Sequence, residues 1–388
     1  MVTSANLSRS ICGATELPLE TADEVVTRDL EYMRAQLPAE FSRMAGKSLL
    51  ITGGAGFLGY YLIQAIVFWN RTVEEARRIQ ITVCENYMRG APTWFLSLEA
   101  AQEMRVMRHD VSEPLPAGIG AFQFIIHAAG IASPTYYRAH PLETMDANVT
   151  GLRHLLDYWR RQRDEGREVG GFLFLSSSEI YGDPEPGWIP TPESYRGNVS
   201  CTGPRACYDE SKRFGETLCV TYARHYQLPV RIVRPFNNYG PGLKITDRRV
   251  ISDFARDVFA NRDIGLYSDG LPTRTFCYIA DAIAGYYKIL VCGHDGEAYN
   301  IGTDGPEISM LDLARRMAGI ASELFGYKGQ VVHRQVPTMD YLTDNPSRRC
   351  PMIAKARTEV GYNPGVSLED GLRRSLIWYS AHLEAEEK

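Results

Sequence analysis

Between residues 47 and 235 the chain alternates short apolar runs with stretches of helical periodicity. The runs at 48–52, 80–85, 105–108, 122–127, 172–176 and 230–233 are bounded by turn formers or polar residues and read as strands. Most of the intervals place apolar residues three and four apart, as at 141–163 and 206–225, and read as helices. Such alternation implies an α/β fold: a doubly wound parallel sheet with helices on both faces. Ahead of it, Val25, Leu30, Met33, Leu37 and Phe41 recur at helical spacing. Residues 21–44 therefore form one or two amphipathic helices that cover the core or a partner subunit. Beyond Pro235 the rhythm changes, Gly, Pro and Asn become frequent, and short strands mix with helices. Ser309, with Asp312 three residues on, fits a helix N-cap followed by a favourable first-turn acid. The expected organisation is a helical extension at 1–46 and a nucleotide-binding domain at 47–235, with 276–302 returning to its sheet. A smaller mixed α/β domain over most of 236–388 would take the substrate.

Composition narrows the class. With 44% apolar and 23% charged residues in 388, the chain is neither disordered nor fibrous. Forty-two basic residues against 47 acidic ones give a net charge of −5, so bulk charge provides no drive toward nucleic acid or a membrane surface. The most apolar stretch, 60–69, is too short to span a bilayer, and the start carries no basic-then-apolar signal. Eight scattered cysteines without a CxxC or CxxH cluster read as reduced thiols, with no disulfide frame and no metal site expected. The expectation is a soluble cytoplasmic enzyme.

Candidate chemistry gathers at strand ends. Thr52-Gly53-Gly54-Ala55-Gly56-Phe57-Leu58-Gly59 joins the first strand to an apolar helix. Glycines at 53, 56 and 59 permit a tight turn, close approach of a pyrophosphate and close packing of helix on sheet. The helix start at Phe57 and Leu58 offers amide donors to the phosphates, in the manner of a Rossmann dinucleotide site. Glu85 ends the second strand, where its carboxylate would bind the adenosine ribose and favour NAD over NADP; otherwise it is a solvated strand-end acid. Asp110-Val111 either holds the adenine edge or makes a turn. Tyr208 and Lys212 stand four apart on one helix face. An ammonium there would lower the phenol pKa and let it take a proton from a substrate hydroxyl. Alone, the pair reads equally as a surface contact. The strand-end hydroxyl of Ser177 adds the third part of a far more specific combination.

That combination resembles the extended short-chain dehydrogenase/reductases that modify nucleotide sugars, the NAD-dependent epimerase/dehydratase group, over about residues 47–375. His127-Ala128-Ala129, Asn148 and Arg234-Pro235-Phe236-Asn237-Asn238-Tyr239-Gly240-Pro241 match further features of that group. Pro192-Glu193-Ser194-Tyr195-Arg196-Gly197-Asn198-Val199 leads into Gly203-Pro204-Arg205-Ala206-Cys207-Tyr208-Asp209-Glu210. With Thr273-Arg274-Thr275-Phe276-Cys277-Tyr278 and Arg348-Arg349, this is similar to the UDP-glucuronate decarboxylases (UDP-xylose synthases). Related 4,6-dehydratases carry, where Ser178 stands, an aspartic acid that protonates a departing hydroxyl. Related 4-epimerases carry an apolar residue or threonine in place of Glu179. Departures from the group's pattern are Gly242 for arginine, Arg248 for glycine, Met352 for aspartate and Glu85 for aspartate.

The resemblance implies an internally redox-neutral decarboxylation of UDP-glucuronate to UDP-xylose with tightly bound, recycled NAD. Tyr208, assisted by Ser177 and tuned by Lys212, would deprotonate the sugar C4 hydroxyl as hydride leaves. The resulting 4-keto acid would lose its C6 carboxylate, and the enolate would be protonated at C5 and reduced again. Arg274 would orient the carboxylate or clamp the diphosphate. Glu179 would position the ring or a water, or be a structural carboxylate. Asn86 and Ala128 would join the cofactor contacts. Asn237, Arg249 and Arg349 resemble diphosphate and uridine contacts, Tyr137 and Ser178 lie on the sugar side, and Tyr267 would stack on the base. A homodimer through the helices at 141–163 and 206–225 is also implied. A 4-epimerase, a 4,6-dehydratase or an apiose-type synthase on the same scaffold is the alternative.

Overall fold

In this computed structural model, which describes residues 20–335 and 343–383, the apolar runs assemble into one seven-stranded parallel sheet. Its strands are β1 (Ser48–Thr52), β2 (Gln80–Glu85), β3 (Arg105–Arg108), β4 (Phe124–His127), β5 (Gly171–Leu175), β6 (Val230–Pro235) and a last strand, Ala298–Ile301. From one edge the order is Ala298–Ile301, β6, β5, β4, β1, β2, β3. The chain therefore reverses its winding between β1 and β4, and a crevice opens there over the C-terminal strand ends. β4 and β5 are buried at every position, as sheets covered on both faces require.

Before the sheet come α1 (Ala22–Gln36) and α2 (Pro38–Met44), and residues 1–19 of the expected extension lie outside the described residues. α3 (Phe57–Asn70) follows β1 and α4 (Thr93–Ala100) follows β2. α5 (Pro134–Ala139), α6 (Pro141–Met145) and α7 (Leu152–Asp164) carry the chain from β4 to β5, and α8 (Ala206–Tyr226) carries it to β6. The helix expected at 141–163 is interrupted by a π-helical turn, Asp146–Gly151, which holds the Asn148 amide 3.0 Å from Ser211 Oγ on α8. The strand expected from 122 starts at Phe124, because side chains of α7 take the backbone of Phe122. Gln162 accepts its N–H at 3.0 Å, and Trp159 Nε1 donates to its carbonyl at 3.1 Å.

After β6, α9 (Val250–Phe259) precedes α10 (Ile279–Cys292), which packs on β5 and β6 and leads back to the last sheet strand. α11 (Met310–Phe325) starts at the expected cap, with the Asp312 N–H 3.0 Å from Ser309 Oγ; α12 (Ala354–Val360) and α13 (Leu368–His382) follow. The short strand Thr273–Arg274 pairs in parallel with Arg348–Arg349, which sets Arg274 beside Arg349. Two distant arginines thus arrive together over the sheet.

The N-terminal helices cover the core. Val25, Leu30, Met33, Leu37 and Phe41 are all buried, and α1 lies against α3, α10 and α13. Asp29 on α1 is fully buried and accepts hydrogen bonds from the hydroxyls of Tyr61 and Tyr278 and from Arg374. Burial raises its pKa, and these three donors oppose the rise. The carboxylate pins α1 to α3, the helix whose N-terminus opens the nucleotide crevice. Asp29→Ala strands a guanidinium and two phenols in the core, and a loss of about 3–5 kcal/mol is expected in urea unfolding. A loss below about 1 kcal/mol would show that the cluster does not bind α1 to the fold.

Candidate active site

The crevice is a cavity of about 550 Å³, within the range of small-molecule sites, that runs from the glycine loop to the end of β5 and on to Arg349. At one end Gly56 caps α3 without a side-chain hydrogen bond, so the first-turn amides at Phe57 and Leu58 lack an internal acceptor. The glycines are required by close approach. A Cβ on Gly53, where φ is +71°, would stand 2.6 Å from Ala129 Cα; one on Gly59 would stand 2.0 Å from the Gly54 carbonyl oxygen. An uncapped helix N-terminus behind a loop that a Cβ at Gly53 or Gly59 would obstruct fits a dinucleotide pyrophosphate.

Glu85 lines this end and braces the loop as well, accepting from the amides of Ala55 (2.9 Å), Asn86 (3.1 Å) and Tyr87 (3.1 Å). The Asn86 amide donates to Asp110 (2.9 Å), whose other oxygen accepts from the Ser112 N–H and hydroxyl. Asp110 therefore makes the turn and lines the cavity at once, beside Val111 and Ala128. His127 is structural. Its ring nitrogens bond Thr52 Oγ1 and the Ala147 carbonyl, and burial together with the Lys212 charge pushes it down to about 3.

At the sheet's centre, α8 presents Tyr208 and Lys212 under the end of β5. Tyr208 is buried, its hydroxyl takes a hydrogen bond from Ser177, and its ring stacks on Tyr137 at 5.1 Å between centroids. The Tyr137 hydroxyl is buried without a partner. One expectation is corrected here. Lys212 does not bring the Tyr208 phenol below its ordinary value: burial outweighs the neighbouring charges and pushes the phenol up to about 12, with Ser177 as the main opposing influence. The reason is geometric. The Lys212 ammonium donates to the Leu175 carbonyl at 2.7 Å and lies over the Phe174 ring, 5.8 Å from the centroid of Tyr208. Burial in turn pushes Lys212 down to about 7.

Beside this centre Glu179 is bound by two guanidiniums. Arg349 grips it through both terminal nitrogens, one at 2.7 Å, and Arg205 binds it from the head of α8. Burial is more than offset by Arg205 and Arg349, which hold the Glu179 carboxyl well below its ordinary range. Arg274 forms the third side. Its guanidinium donates to the carbonyls of Thr273 (2.8 Å), Ser347 (3.2 Å) and Pro346, so it fastens the 345–347 segment. It still lines the cavity, and burial with the nearby Arg349 pushes it down to about 9. Three guanidiniums around one carboxylate leave an unbalanced positive field. Arg205 was not among the sequence candidates; its spacing of four from Asp209 at a helix start was the available signal.

Of the remaining candidates, Ser178, Asn237 and Arg249 line the cavity. Asn237 adopts φ +42° and donates to the Thr275 carbonyl at 2.8 Å. Arg249 pairs with Asp247 at 2.9 Å and lies over the Phe57 ring at the start of α3. Tyr267 does not line the cavity; it stands by Arg334, and the neighbouring Ser268 lines the wall instead.

Known proteins resemble this chain in sequence and in fold. The profile of the NAD dependent epimerase/dehydratase family matches residues 49–302. The chain is 34% identical over 325 residues to UDP-glucuronic acid decarboxylase 3 of Arabidopsis thaliana, covering 84% of this chain and 86% of that protein. It is 32% identical over 390 residues to UDP-glucuronic acid decarboxylase 1 of Xenopus tropicalis, covering 98% and 85%. Among solved structures it superposes on a dTDP-glucose 4,6-dehydratase of Streptomyces venezuelae with NAD bound. The TM-score there is 0.71 at 26% identity, over 87% of this chain and 98% of that one. In Gly59→Ala the added methyl must displace the Gly54 carbonyl. The protein is expected to lose about 1–3 kcal/mol of stability and to purify without dinucleotide, as chromatography of the denatured protein's supernatant would show. Full dinucleotide content would mean that the loop does not hold the pyrophosphate.

Proposed function

The chain belongs to the NAD dependent epimerase/dehydratase family, and on that premise we propose that it decarboxylates UDP-glucuronate to UDP-xylose. The observation that supports this reading best is the surplus of guanidinium around Glu179 beside Tyr208. A sugar carboxylate would balance that charge, drawn by the field of Arg205, Arg274 and Arg349. A neutral hexose, the substrate of simple 4-epimerases and 4,6-dehydratases, presents nothing to it.

NAD, held by the loop at 53–59 and by Glu85, supplies a reversible hydride acceptor at the sugar C4. Tyr208, protonated at rest, loses its proton toward solvent before turnover and then takes the proton of the C4 hydroxyl. The Lys212 ammonium stabilises the phenolate, and Ser177 orients the same hydroxyl. Oxidation at C4 places the ketone β to the C6 carboxylate. The C5–C6 bonding pair then moves into an enolate as CO₂ leaves, and the hydroxyls of Ser177 and Tyr208 donate to its oxygen. C5 takes up one proton, and Tyr208 returns its proton to O4 when the ketone is reduced. Glu179 holds Arg205 and Arg349 in register until the substrate arrives. The chemistry consumes one proton per CO₂ released.

A homodimer is proposed with it. α6 packs against α8, and the pair leaves Leu142 67% exposed and Phe214 51% exposed, an apolar face that a second copy would cover.

UDP-glucuronate labelled with ¹³C at C6 provides the test. Labelled CO₂ or bicarbonate with a UDP-pentose is expected in the NMR spectrum. UDP-galacturonate without CO₂, or unchanged substrate in a folded, NAD-loaded sample, overturns the reading. Tyr208→Phe should lower kcat by about 10²–10⁴-fold while leaving NAD content unaltered; near-normal turnover would remove Tyr208 from the base role. Phe214→Glu should sediment as a monomer where the parent sediments as a dimer, and a monomeric parent would sink the dimer.

A further inference from the structure

A second, polar cavity of about 370 Å³ lies behind the arginine cradle. Asp183, Asn198, Asp209 and Asp344 line it, together with Arg205 and Asn345, which line the active-site cavity too. Arg205 is thus a wall between the two spaces. It binds Glu179 on the active-site side, and on the other its Nε stands 3.5 Å from Asp209 Oδ2. Asp209 is 4% exposed, and its Oδ1 is buried without a hydrogen-bond partner. It is a buried carboxylate with no part in the chemistry above, joined to that chemistry through one shared guanidinium.

We propose that Asp209 is a positioning residue whose protonation, reached by water through the second cavity, sets how much of the Arg205 charge remains for the substrate carboxylate. The inference rests on the reading of the cradle as the site of a sugar carboxylate. With Asp209 neutral, Arg205 is paired with Glu179 only; with Asp209 ionised, the Arg205 charge is shared between two carboxylates, and the cradle has one positive charge fewer to offer a ligand. The groups that face Asp209 set its proton affinity. Burial and the Glu179 carboxylate push it up to about 7 against the pull of Arg205 and Arg349. Asp183 and Asp344, across the second cavity, carry the same sign as Glu179, and the buried Tyr137 phenol is neutral. A raised pKa means that the neutral form holds at lower pH and is lost as pH rises through neutrality. Affinity for an anionic sugar is therefore highest below neutrality and falls above it. By linkage, binding that sugar draws a proton onto Asp209.

UDP-glucose is the control, since it has the same diphosphate and the same sugar ring without the carboxylate. Dissociation constants for UDP-glucuronate and UDP-glucose are measured by calorimetry on the NAD-loaded protein from about pH 6 to about 8.5, spanning the neutral range. The constant for UDP-glucuronate should rise about fivefold or more while that for UDP-glucose stays level. In Asp209→Asn the UDP-glucuronate constant should stay at its low-pH value throughout, with KM following it and kcat little moved. Repeating the titration near neutral pH in buffers of different ionisation enthalpy gives a reading that needs no variant. Proton uptake is expected with UDP-glucuronate and absent with UDP-glucose. A ratio of the two constants that does not change with pH, or one that changes equally in Asp209→Asn, overturns the proposal. Release of labelled CO₂ with a level ratio overturns this proposal alone. The expected ratio without CO₂ release overturns the decarboxylase reading alone.

Discussion

Buried positive charge is costly unless it is answered, and the site is organised around that constraint. Arg205, Arg274 and Arg349 come from the head of a helix and from two short strands far apart in the chain, yet they stand around a single carboxylate. Glu179 holds two of them, and the third is spent on the carbonyls of 346 and 347. The C-terminal part of the chain is thereby fastened to the turn after β5. Three guanidiniums so gathered give this end of the cavity a positive field, one that favours an anionic ligand over a neutral one.

The proton chemistry of the resting site is ruled by desolvation. Tyr208 and Lys212 share a helix face, but each is wholly enclosed, and each is driven toward its neutral form. The lysine's hydrogen bond to the Leu175 carbonyl ties it to the strand end. The π-helical turn at 146–151 serves the same place, since Asn148 braces Ser211 on α8 between Tyr208 and Lys212.

One departure from the family pattern has a local cause. Gly242, where arginine is common, adopts φ +88°, and a Cβ there would stand 2.7 Å from Tyr60 Cβ; the aromatic start of α3 has taken that space. Asp247, next to the altered Arg248, pairs with both Arg89 from the loop after β2 and Arg249. The two halves of the cleft are thus strapped together at the nucleotide end. The N-terminal helices reinforce α3 from outside through Asp29.

The sequence by itself determined the sheet, the glycine loop, the placing of Ser177 and Glu179 after a strand end, and that of Tyr208 and Lys212 on one face of the next helix. Strand and helix periods, turn glycines and i, i+4 spacing are local properties that one stretch of chain carries alone. Tertiary structure alone decided which arginine meets which carboxylate. Arg205 and Arg349 reach Glu179 across 26 and 170 residues of chain, and Arg274 turned to backbone carbonyls once strand pairing had set it beside Arg349. It also placed Tyr267 off the cavity wall and let burial outweigh the charges around Tyr208. Charge pairing and desolvation depend on what surrounds a group in three dimensions, and no window of sequence contains that surrounding.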